Sequence, residues 1–368
     1  MTKILIIKTA ALGDVLRTTS ILPGLHKRYP GCEITWVASA AAASLVAPNQ
    51  LNAGHNLVSE LIRHPTPELP IISNHLPVVE AGKSPWDRVL SFDDESDLCQ
   101  IAFEQAGGQA GVEAGILSGA YQNESGGLTY TADTAAWFDM GLISKFGKQR
   151  ADELKIENTR SHPEIYAEML GIEMGKPSIF LSKPALDFAR EFSRRTGLHG
   201  SFPVIGFNTG AGGRWESKKL SVDQTVEIAV ELHRKLEGAE TILLLGGPEE
   251  AERNAEIIER VGDGARVVDA GTHNTIHHFA ALVDRLDLLL TSDSLALHMG
   301  VARDVPVVAF FAPTSAAEID LYGCGEKVVS TSPDYCSYKP NVDTSTLTNE
   351  RLLAAIENCL PNESRRRG

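Results

Sequence analysis

The sequence has few cysteines and no long apolar run. Its five cysteines are an odd number, and no two of them have the Cys-x-x-Cys spacing of a zinc or redox site, so we expect reduced thiols in a cytoplasmic protein. The N-terminus lacks the pattern of a signal peptide, and no apolar stretch is long enough to span a bilayer. We therefore expect peripheral membrane contact at most. The cysteines are Cys32, Cys99, Cys324, Cys336 and Cys359.

Basic residues are also scarce. The chain has 34 Lys and Arg against 48 Asp and Glu, which gives a formal net charge of −14. A chain this acidic is a poor candidate for nucleic-acid binding, so we expect no nucleic-acid partner. An anionic acceptor would need a local basic patch. The length of 368 residues and the hydrophobic share of 43% indicate a folded chain of two domains.

Several motifs of nucleotide-binding and hydrolytic enzymes are absent. There is no Gly-x-x-x-x-Gly-Lys-Ser/Thr loop, no Gly-x-Ser-x-Gly elbow and no His-Glu-x-x-His, and residues 9–13 after the first strand are not Gly-x-Gly-x-x-Gly. These absences argue against a P-loop ATPase, an α/β hydrolase, a zinc protease and a dinucleotide dehydrogenase. The densest run of carboxylates, residues 92–97, is typical of a solvated loop rather than of a magnesium site. We predict no metal site and no cofactor.

Apolar runs alternate with helical patterns along the whole chain. Helices are predicted at 222–236 and 249–261, and another opens at Asp14. This alternation predicts right-handed strand–helix–strand units, and hence doubly wound parallel sheets. The strands are predicted at 4–8, 33–37, 86–92, 204–208, 241–245, 267–268, 286–291 and 306–311.

Three further segments complete the predicted organisation. The glycine-rich residues 106–127 are expected to form loops with acceptor contacts, and residues 135–170 to be helical with a break at Pro163. Thr348 is expected to cap a closing helix over 348–360. The predicted domains are 1–185, 186–345 and a C-terminal helix with a disordered tail over 346–368.

Small and polar residues follow the strands of the second half. In open parallel sheets, ligands bind beyond the carboxyl ends of the strands. Glycines, hydroxyls and helix N-termini offer N–H groups to a phosphate, and a lysine or arginine adds the opposite charge. These residues predict a site for a nucleotide diphosphate. They are Thr209, Gly210, Gly212, Gly213, Arg214 and Lys218 after the first strand, Gly246, Gly247 and Glu249 after the next, then Asp293, Ser294 and His298, and finally Pro313 and Thr314.

These residues also carry a resemblance to a known family. Residues 6–15, Ile-Ile-Lys-Thr-Ala-Ala-Leu-Gly-Asp-Val, resemble the N-terminal signature of the bacterial ADP-heptose:lipopolysaccharide heptosyltransferases, glycosyltransferase family nine. Blocks 206–221, 245–248 and 291–298, followed by Pro313-Thr314, are similar to that family's donor-site blocks in the same order. The resemblance covers most of the chain and is weakest between about 40 and 200.

The resemblance implies a GT-B architecture, in which two Rossmann-like doubly wound parallel-sheet domains face across a cleft. The N-terminal domain would bind the acceptor and the C-terminal domain the nucleotide-sugar. The implied reaction is a metal-independent, inverting transfer of a heptose from ADP-heptose to a sugar of lipopolysaccharide core or a related surface glycan.

Roles for residues near the N-terminus follow from the resemblance. Position alone makes Asp14 a helix N-cap or first-turn carboxylate, whereas the resemblance favours a catalytic base that takes the proton of the acceptor hydroxyl. Lys8, Gly13 and Arg17 are assigned to the acceptor side. From position alone, Lys8 is equally a snorkelling surface lysine and Arg17 a solvated helix residue.

Roles in the second half are assigned in the same way. Lys218 matches the family's donor-site lysine and would neutralise the leaving diphosphate, with Arg214 and Lys219 as its neighbours. Asp293 would face ribose or sugar. The remaining predicted donor-binding residues are Thr209, Gly210, Gly213, Gly246, Glu249 (for ribose), Ser294, Leu295, Ala296, His298, Pro313 and Thr314.

Two of these residues carry a qualification of their own. His298 is assigned to a phosphate oxygen, and a buried structural histidine is the alternative role for it. Leu295 stands where many family members have glycine, so a side chain there is expected to narrow the donor pocket and to change the preferred sugar or base.

Other functions stay open at this point. The same fold serves enzymes that use another nucleotide-sugar or a peptide or secondary-metabolite acceptor, and a non-hydrolysing sugar-nucleotide epimerase shares the two-domain plan. A non-catalytic binding protein is disfavoured because both Asp14 and Lys218 are present. We expect a monomer in the cytoplasm or at the inner face of the inner membrane.

Overall fold

The chain folds into two compact units, Met1–Phe180 and Leu181–Gly368. Each unit contains one six-stranded sheet. The protein is described here from a computed structural model, which covers residues 1–46, 60–64 (main chain only), 76–80, 82–213 and 215–361.

The sheet of the first unit has the strand order β3-β2-β1-β4-β5-β6. All pairs are parallel except β5 with β6, which is antiparallel. Its strands are β1 (Lys3–Ile7), β2 (Glu33–Ser39), β3 (Glu60–His64), β4 (Arg88–Ser91), β5 (Leu117–Gln122) and β6 (Leu128–Tyr130). Its helices are α1 (Leu12–Thr18), α2 (Ile21–Arg28), α3 (Ala43–Val46), α4 (Ser96–Gln105), α5 (Gln109–Glu113), α6 (Ala135–Phe138), α7 (Gly147–Glu157) and α8 (His162–Leu170).

The first strand lies at the centre of this sheet. Leu5 of β1 is in register with Thr35 of β2 on one side and with Val89 of β4 on the other. Ile4, Leu5, Ile6 and Ile7 are all fully buried, as expected for a parallel strand covered on both faces. The predicted buried strand at 4–8 is therefore confirmed, and its central place brings the ends of β1 and β4 side by side.

The region after β6 is helical, as predicted, but it is divided into three helices. The last of them, α8, begins with a capping box between Ser161 and Glu164, and Pro163 occupies its first turn. Proline is tolerated there because the first-turn N–H groups have no partner within a helix. Gly171 closes α8 in the left-handed conformation. Pro163 thus marks the start of a helix rather than a break inside one.

The prediction of loops over 106–127 is wrong, because this segment contains α5 and β5. Gly119 of β5 has φ +131°, and a Cβ there would overlap the main chain of Ser91 in β4. Glycine is needed at this close approach of two strands, so a residue that looked like a loop signal belongs to the sheet.

The sheet of the second unit is entirely parallel, in the order β12-β11-β10-β7-β8-β9. Its strands are β7 (Val204–Asn208), β8 (Thr241–Leu245), β9 (Val267–Asp269), β10 (Leu288–Ser292), β11 (Val307–Phe311) and β12 (Gly325–Val329). Its helices are α9 (Lys183–Thr196), α10 (Val222–Lys235), α11 (Ala251–Val261), α12 (Ile276–Val283), α13 (Leu295–Ala302) and α14 (Asn349–Cys359).

Apolar runs in this unit predicted its central strands closely. The predicted strands 204–208 and 241–245 coincide with β7 and β8, and Thr348 caps α14 as predicted. Leu352 and Ile356 of α14 are buried in one core cluster with Val328 of β12. A fully buried aliphatic side chain of this kind stabilises a fold by about 1.5–3 kcal/mol. The closing helix is thus part of the second unit's core.

None of the helices within the described ranges is long and apolar enough to cross a membrane.

Candidate active site

A buried ion pair joins the ends of β1 and β4 in the first unit. The Lys8 ammonium lies 2.5 Å from Asp93 Oδ1, and Asp93 Oδ2 accepts hydrogen bonds from the N–H and hydroxyl of Thr9 at 2.6 and 2.7 Å. Lys8 also donates to the Ala10 carbonyl, and the Trp36 indole donates to the Lys8 carbonyl at 3.0 Å. These bonds fix the loop that leads from β1 to Asp14.

Lys8 is not a snorkelling surface lysine, because it is buried together with Asp93. Burial alone would lower the pKa of Lys8, but the charges of Asp93 and Asp14 outweigh it and hold that pKa above its ordinary 10.5. Lys8 is therefore a cation at neutral pH. The carboxylate that holds it was missed, since residues 92–97 were expected to be a solvated loop.

Asp14 lies in the first turn of α1. The helix begins at Leu12 with Ala11 as its N-cap, so Asp14 neither opens nor caps it, and of the two position-based predictions that of a first-turn carboxylate is confirmed. A carboxylate in a first turn is stabilised by the helix dipole. Arg17 Nη2 donates to Asp14 Oδ1 at 2.7 Å, and 43% of the Asp14 side chain is exposed. The carboxylate is thus oriented by a cation and open to solvent.

Arg17 is not a solvated helix residue, because it is only 5% exposed. Tyr166 of α8 is fully buried near it, and the ring of Tyr166 lies 5.1 Å from that of Phe92 in an edge-on contact. Burial raises the pKa of Tyr166, while the positive charges of Arg17 and Lys8 oppose that rise. Two buried cations, Arg17 and Lys8, and the buried ring of Tyr166 therefore lie near Asp14.

A second ion pair lies at the strand ends of the second unit. Lys218, in a 3-10 turn over Glu216–Lys218, donates from Nζ to both the main-chain oxygen and Oδ2 of Asp293 at 2.9 Å. The ammonium also lies 5.1 Å from the centre of the Trp215 ring. The structure thus brings together Lys218 and Asp293, two residues that the sequence assigned separately to a donor site.

Asn208, at the end of β7, connects the loops around this pair. Its amide donates to the hydroxyls of Thr291 and Ser294 at 3.0 and 3.2 Å and to the Gly210 carbonyl at 2.5 Å. Ser294 is the N-cap of α13, and its side chain makes no capping bond. The N-terminus of α13 therefore lies beside Ser294, where helix N–H groups favour an anion. Asn208 was not among the predicted site residues, although its place at the carboxyl end of a strand was the available signal.

A third cluster surrounds the turn after β8. Glu250 is buried, accepts a hydrogen bond from the Gly247 N–H at 2.9 Å and lies 3.5 Å from the Lys219 ammonium. A Cβ at Gly210 would lie 2.5 Å from Glu250 Oε2, so any other residue there would require the Glu250 carboxylate to move. Glu249, which the sequence favoured for ribose, is exposed. The predicted helix at 249 begins two residues later, because Pro248–Glu250 forms a 3-10 turn before α11.

Thr209 directs its hydroxyl into the fold. It donates to Asn254 Oδ1 at 2.6 Å and to the Leu245 carbonyl at 3.0 Å, so its polar group is engaged with β8 and α11. Asn254 is fully buried, and its Nδ2 has no hydrogen-bond partner among the described residues. This side chain was also missed by sequence analysis.

The other predicted site residues have these positions. Ala296, His298, Pro313 and Thr314 are buried, Leu295 is half-buried at the first position of α13, and Gly213 is exposed. The hydroxyl of Thr314 is buried without a hydrogen-bond partner among the described residues. Gly13 lies in α1 and Gly246 directly after β8, whereas Arg214 lies outside the described residues.

Across the part of the chain that the structure describes, no group of three or more His, Cys, Asp or Glu side chains is arranged to hold a metal ion.

A comparison with known protein families decides where the chain belongs. The model of glycosyltransferase family 9 (heptosyltransferase) matches residues 141–347, which are 207 of the 368 residues. The chain belongs to glycosyltransferase family 9. The resemblance found in the sequence is thereby confirmed, and the protein is a glycosyltransferase. The matched segment includes Lys218 and Asp293 and excludes Asp14.

Solved structures agree with this assignment. A family 9 glycosyltransferase from Veillonella parvula is 20% identical, with 98% of this chain and 97% of that chain covered and a TM-score of 0.70. The ADP-heptose lipopolysaccharide heptosyltransferase II of E. coli is 19% identical, with 98% of both chains covered and a TM-score of 0.60. The E. coli heptosyltransferase WaaC, solved with ADP-2-deoxy-2-fluoro heptose, is 18% identical, with 97% and 99% covered and a TM-score of 0.55.

At these identities the likeness is one of fold. Together with the two sheets, one parallel and the other parallel except for β5 with β6, it confirms the predicted class, GT-B with two Rossmann-like units. No curated protein matches the chain.

Proposed function

We propose that this glycosyltransferase moves a heptose from ADP-heptose to a hydroxyl of a sugar acceptor, with inversion and without a metal ion. The donor half of the proposal rests on the Lys218 ammonium. It lies 2.9 Å from the main-chain oxygen and from Oδ2 of Asp293, the residue directly before Ser294. Two similar structures bear on the donor, because one is named for ADP-heptose and the other was solved with a fluorinated ADP-heptose. We infer the same class of donor here.

The donor's diphosphate is proposed to lie between Lys218 and the N-terminus of α13. Ser294 and the first N–H groups of that helix would donate to phosphate oxygens. As the bond between the anomeric carbon and the diphosphate breaks, negative charge grows on the leaving group. A lysine placed there stabilises that charge in the transition state, which is the task a metal ion performs in other enzymes. Asp293, already bonded to Lys218, keeps the ammonium in place.

Asp14 is proposed to act on the acceptor. Its carboxylate takes the proton of the attacking hydroxyl while the acceptor oxygen bonds to the anomeric carbon and the nucleoside diphosphate departs. Attack from the side opposite the leaving group inverts that carbon. The solvent-exposed carboxylate and its Arg17 partner support this role. We accordingly assign the acceptor to the N-terminal domain, 1–185, and the donor to the domain at 186–345.

The acceptor is proposed to be a sugar of lipopolysaccharide core or a related surface glycan. We further propose that the enzyme works as a monomer in the cytoplasm, at the inner face of the inner membrane. Sedimentation of the purified protein, with and without vesicles of bacterial phospholipid, tests both statements. A stable dimer, or failure to bind any vesicle, contradicts the corresponding statement.

Leu295 favours one alternative within the same class. It is half-buried at the first position of α13, where the family resemblance leads us to expect glycine. A side chain at that point takes space from a sugar held at the helix N-terminus. The second candidate is therefore a donor with another sugar or base, used on a glycan, peptide or secondary-metabolite acceptor.

A panel of nucleotide-sugars separates the two candidates. A ligand that binds only the folded state stabilises it by about 2.7 kcal/mol at a hundred times its Kd, which raises the melting temperature. We expect ADP and ADP-heptose to raise it, and UDP-N-acetylglucosamine and GDP-mannose to do so little. Stabilisation by UDP or GDP forms alone would overturn the ADP-heptose assignment and favour the second candidate.

The base assignment is tested by Asp14→Asn. We expect turnover to fall about 10²- to 10⁴-fold, as for loss of a general base, with ADP binding retained. Asp97→Asn is the matched control, because Asp97 is also a first-turn carboxylate in the same unit and is exposed. Turnover near wild type in folded Asp14→Asn would contradict the role.

The proposed independence from metal and the stereochemistry need separate measurements. We expect full activity in excess EDTA and a product whose anomeric configuration, read by NMR, is opposite to that of the donor. Activity that EDTA abolishes and Mg²⁺ restores would refute metal independence, and a retained configuration would refute direct displacement by the acceptor.

A further inference from the structure

Several elements of the first unit contribute charged or titratable groups near Asp14. Arg17 lies on the same helix, one turn further on, and Lys8 lies at the end of β1. Asp93 follows β4 and is bonded to Lys8 rather than to Asp14. Tyr166 approaches from α8. Two cations and a phenol therefore interact with the proposed base, and Asp93 is bonded to one of those cations.

Arg17 is better placed to hold Asp14 than to meet an acceptor. It is 5% exposed, whereas 43% of the Asp14 side chain is open to solvent. The guanidinium lies 2.7 Å from Asp14 Oδ1, a distance typical of a charge-assisted hydrogen bond. An acceptor approaching from solvent would meet the carboxylate before the arginine. This geometry disagrees with the acceptor contact that the sequence assigned to Arg17.

Asp93 acts on the same carboxylate through Lys8. Its two oxygens take three donors: the Lys8 ammonium, the Thr9 N–H and the Thr9 hydroxyl. The ammonium is thereby directed at a buried carboxylate and held as part of a neutral pair. After Asp93, the carboxylate whose charge acts most strongly on Lys8 is that of Asp14.

We propose that Arg17 and Asp93, which carry opposite charges, are both positioning residues for the Asp14 carboxylate. Arg17 holds the carboxylate in its ionised form by a direct bond, and Asp93 keeps Lys8 from competing for it. This inference rests on the proposed role of Asp14 as the base. The acidic neighbours Asp94 and Glu95 belong to the same electrostatic group, since the charge of Asp93 acts on both.

The test is the pH dependence of kcat/KM, whose acidic limb reports protonation of the base. Arg17→Met removes a cation and is expected to shift the midpoint of the acidic limb to higher pH by about one pH unit. This is the low end of the effect of an adjacent opposite charge, because Asp14 is partly exposed. Arg17→Lys is expected to recover most of the shift. In Asp93→Asn the Lys8 ammonium lacks its carboxylate partner, so the midpoint of the acidic limb should shift to lower pH by about a few tenths of a pH unit. A purely structural role does not predict shifts of opposite sign.

The controls separate this inference from the proposed function. Arg194→Met removes an exposed arginine with the same three-residue spacing and 2.7 Å distance to its partner, Glu191, and should leave the profile unchanged. If Asp93→Asn does not fold, Lys8→Met/Asp93→Leu removes both charges together, and the limb should then stay in place.

Three results would overturn the inference. One is an unshifted limb in Arg17→Met with a higher KM for the acceptor, which returns Arg17 to acceptor binding. Another is an upward shift in Asp93→Asn. The third is a limb shifted by half a unit or more in the double variant. By contrast, an active Asp14→Asn enzyme overturns the proposed function itself, and the two failures are thereby distinguishable.

Discussion

The two units carry similar ion pairs at the carboxyl ends of their strands, with different surroundings. In the first unit, the side chains of Lys8 and Asp93 are 8% and 3% exposed, and the Thr9 N–H and hydroxyl also bind Asp93. In the second, Lys218 and Asp293 are 15% and 18% exposed, and the lysine binds one carboxylate oxygen and a main-chain carbonyl. The first pair is closed off by the chain itself, whereas the second remains within reach of a ligand.

This difference shows how one interaction serves two purposes. Removing one partner of a buried pair leaves an unpaired charge in a poorly solvated place, so such a pair holds the fold around it. Lys218 and Asp293 are more exposed than the first pair, so water can solvate a partner left alone, and breaking this pair should cost less. We expect the first pair to be needed for the structure of the β1 loop and the second for chemistry.

The largest effect is expected at the buried pair. Asp93→Ala should lower the free energy of unfolding by about 3–5 kcal/mol, because the buried Lys8 ammonium and the Thr9 N–H and hydroxyl lose their acceptor. Urea unfolding followed by circular dichroism measures this loss. Asp97→Ala, an exposed carboxylate four residues away, should change stability by no more than about 0.5 kcal/mol. A loss below about 1 kcal/mol at Asp93 would remove the contrast between the two pairs.

The next effect concerns the open pair. Lys218→Met should lower kcat about a hundredfold, equivalent to about 2.7 kcal/mol of transition-state stabilisation, with a smaller loss of stability than in Asp93→Ala. Steady-state kinetics and urea unfolding measure the two quantities. Lys235→Met, which breaks a surface pair with Glu357 in the same unit, should leave kcat unchanged. If Lys218→Met keeps its activity but loses as much stability as Asp93→Ala, both pairs have a structural role and the contrast between them is lost.

The smallest effect tests the electrostatics around the buried pair. Burial, followed by the charge of Asp93, raises the pKa of Asp94 above its ordinary 3.8. The folded state therefore holds the proton on Asp94 more tightly than the unfolded state, so this group reduces stability as the pH rises above about 4. Asp94→Asn should be more stable than wild type at pH 7 by less than about 1 kcal/mol, since the group is partly solvated.

That gain should disappear below about pH 4, where Asp94 is protonated in both states. Urea unfolding at a series of pH values measures it. A gain that is the same at all pH values would point to packing rather than charge, and a loss at pH 7 would contradict the direction of the shift.

The sequence predicted the sheets better than the buried charges. The strands β7 and β8 were found from their apolar runs alone, because a strand covered on both faces needs an unbroken hydrophobic segment. Asp93 was not found, because its partner Thr9 is 84 positions away and only the adjacency of β1 and β4 brings them together. Burial that depends on the order of strands in a sheet is not visible in the local pattern.

The donor side shows the same limit at shorter range. Glu249 and Glu250 are neighbours in an acidic turn, and nothing in composition separates them, yet one is exposed and the other is buried against Gly247. The short 3-10 turn before α11 sets which carboxylate points inward. Lys218 and Asp293 were assigned to a donor site because they follow parallel strands and lie in blocks that resemble the family's. The structure places them 2.9 Å apart, and their role toward the donor stays a prediction.

The contact between Gly210 and Glu250 affects how the loops of the proposed donor site can be redesigned. Any side chain at position 210 would displace the buried Glu250 carboxylate, which now accepts a hydrogen bond from the Gly247 N–H, so a variant at this glycine also changes the contacts of Glu250. Leu295 is half-buried, at the start of α13. Changing donor preference is therefore best begun at residue 295, with residue 210 left as it is.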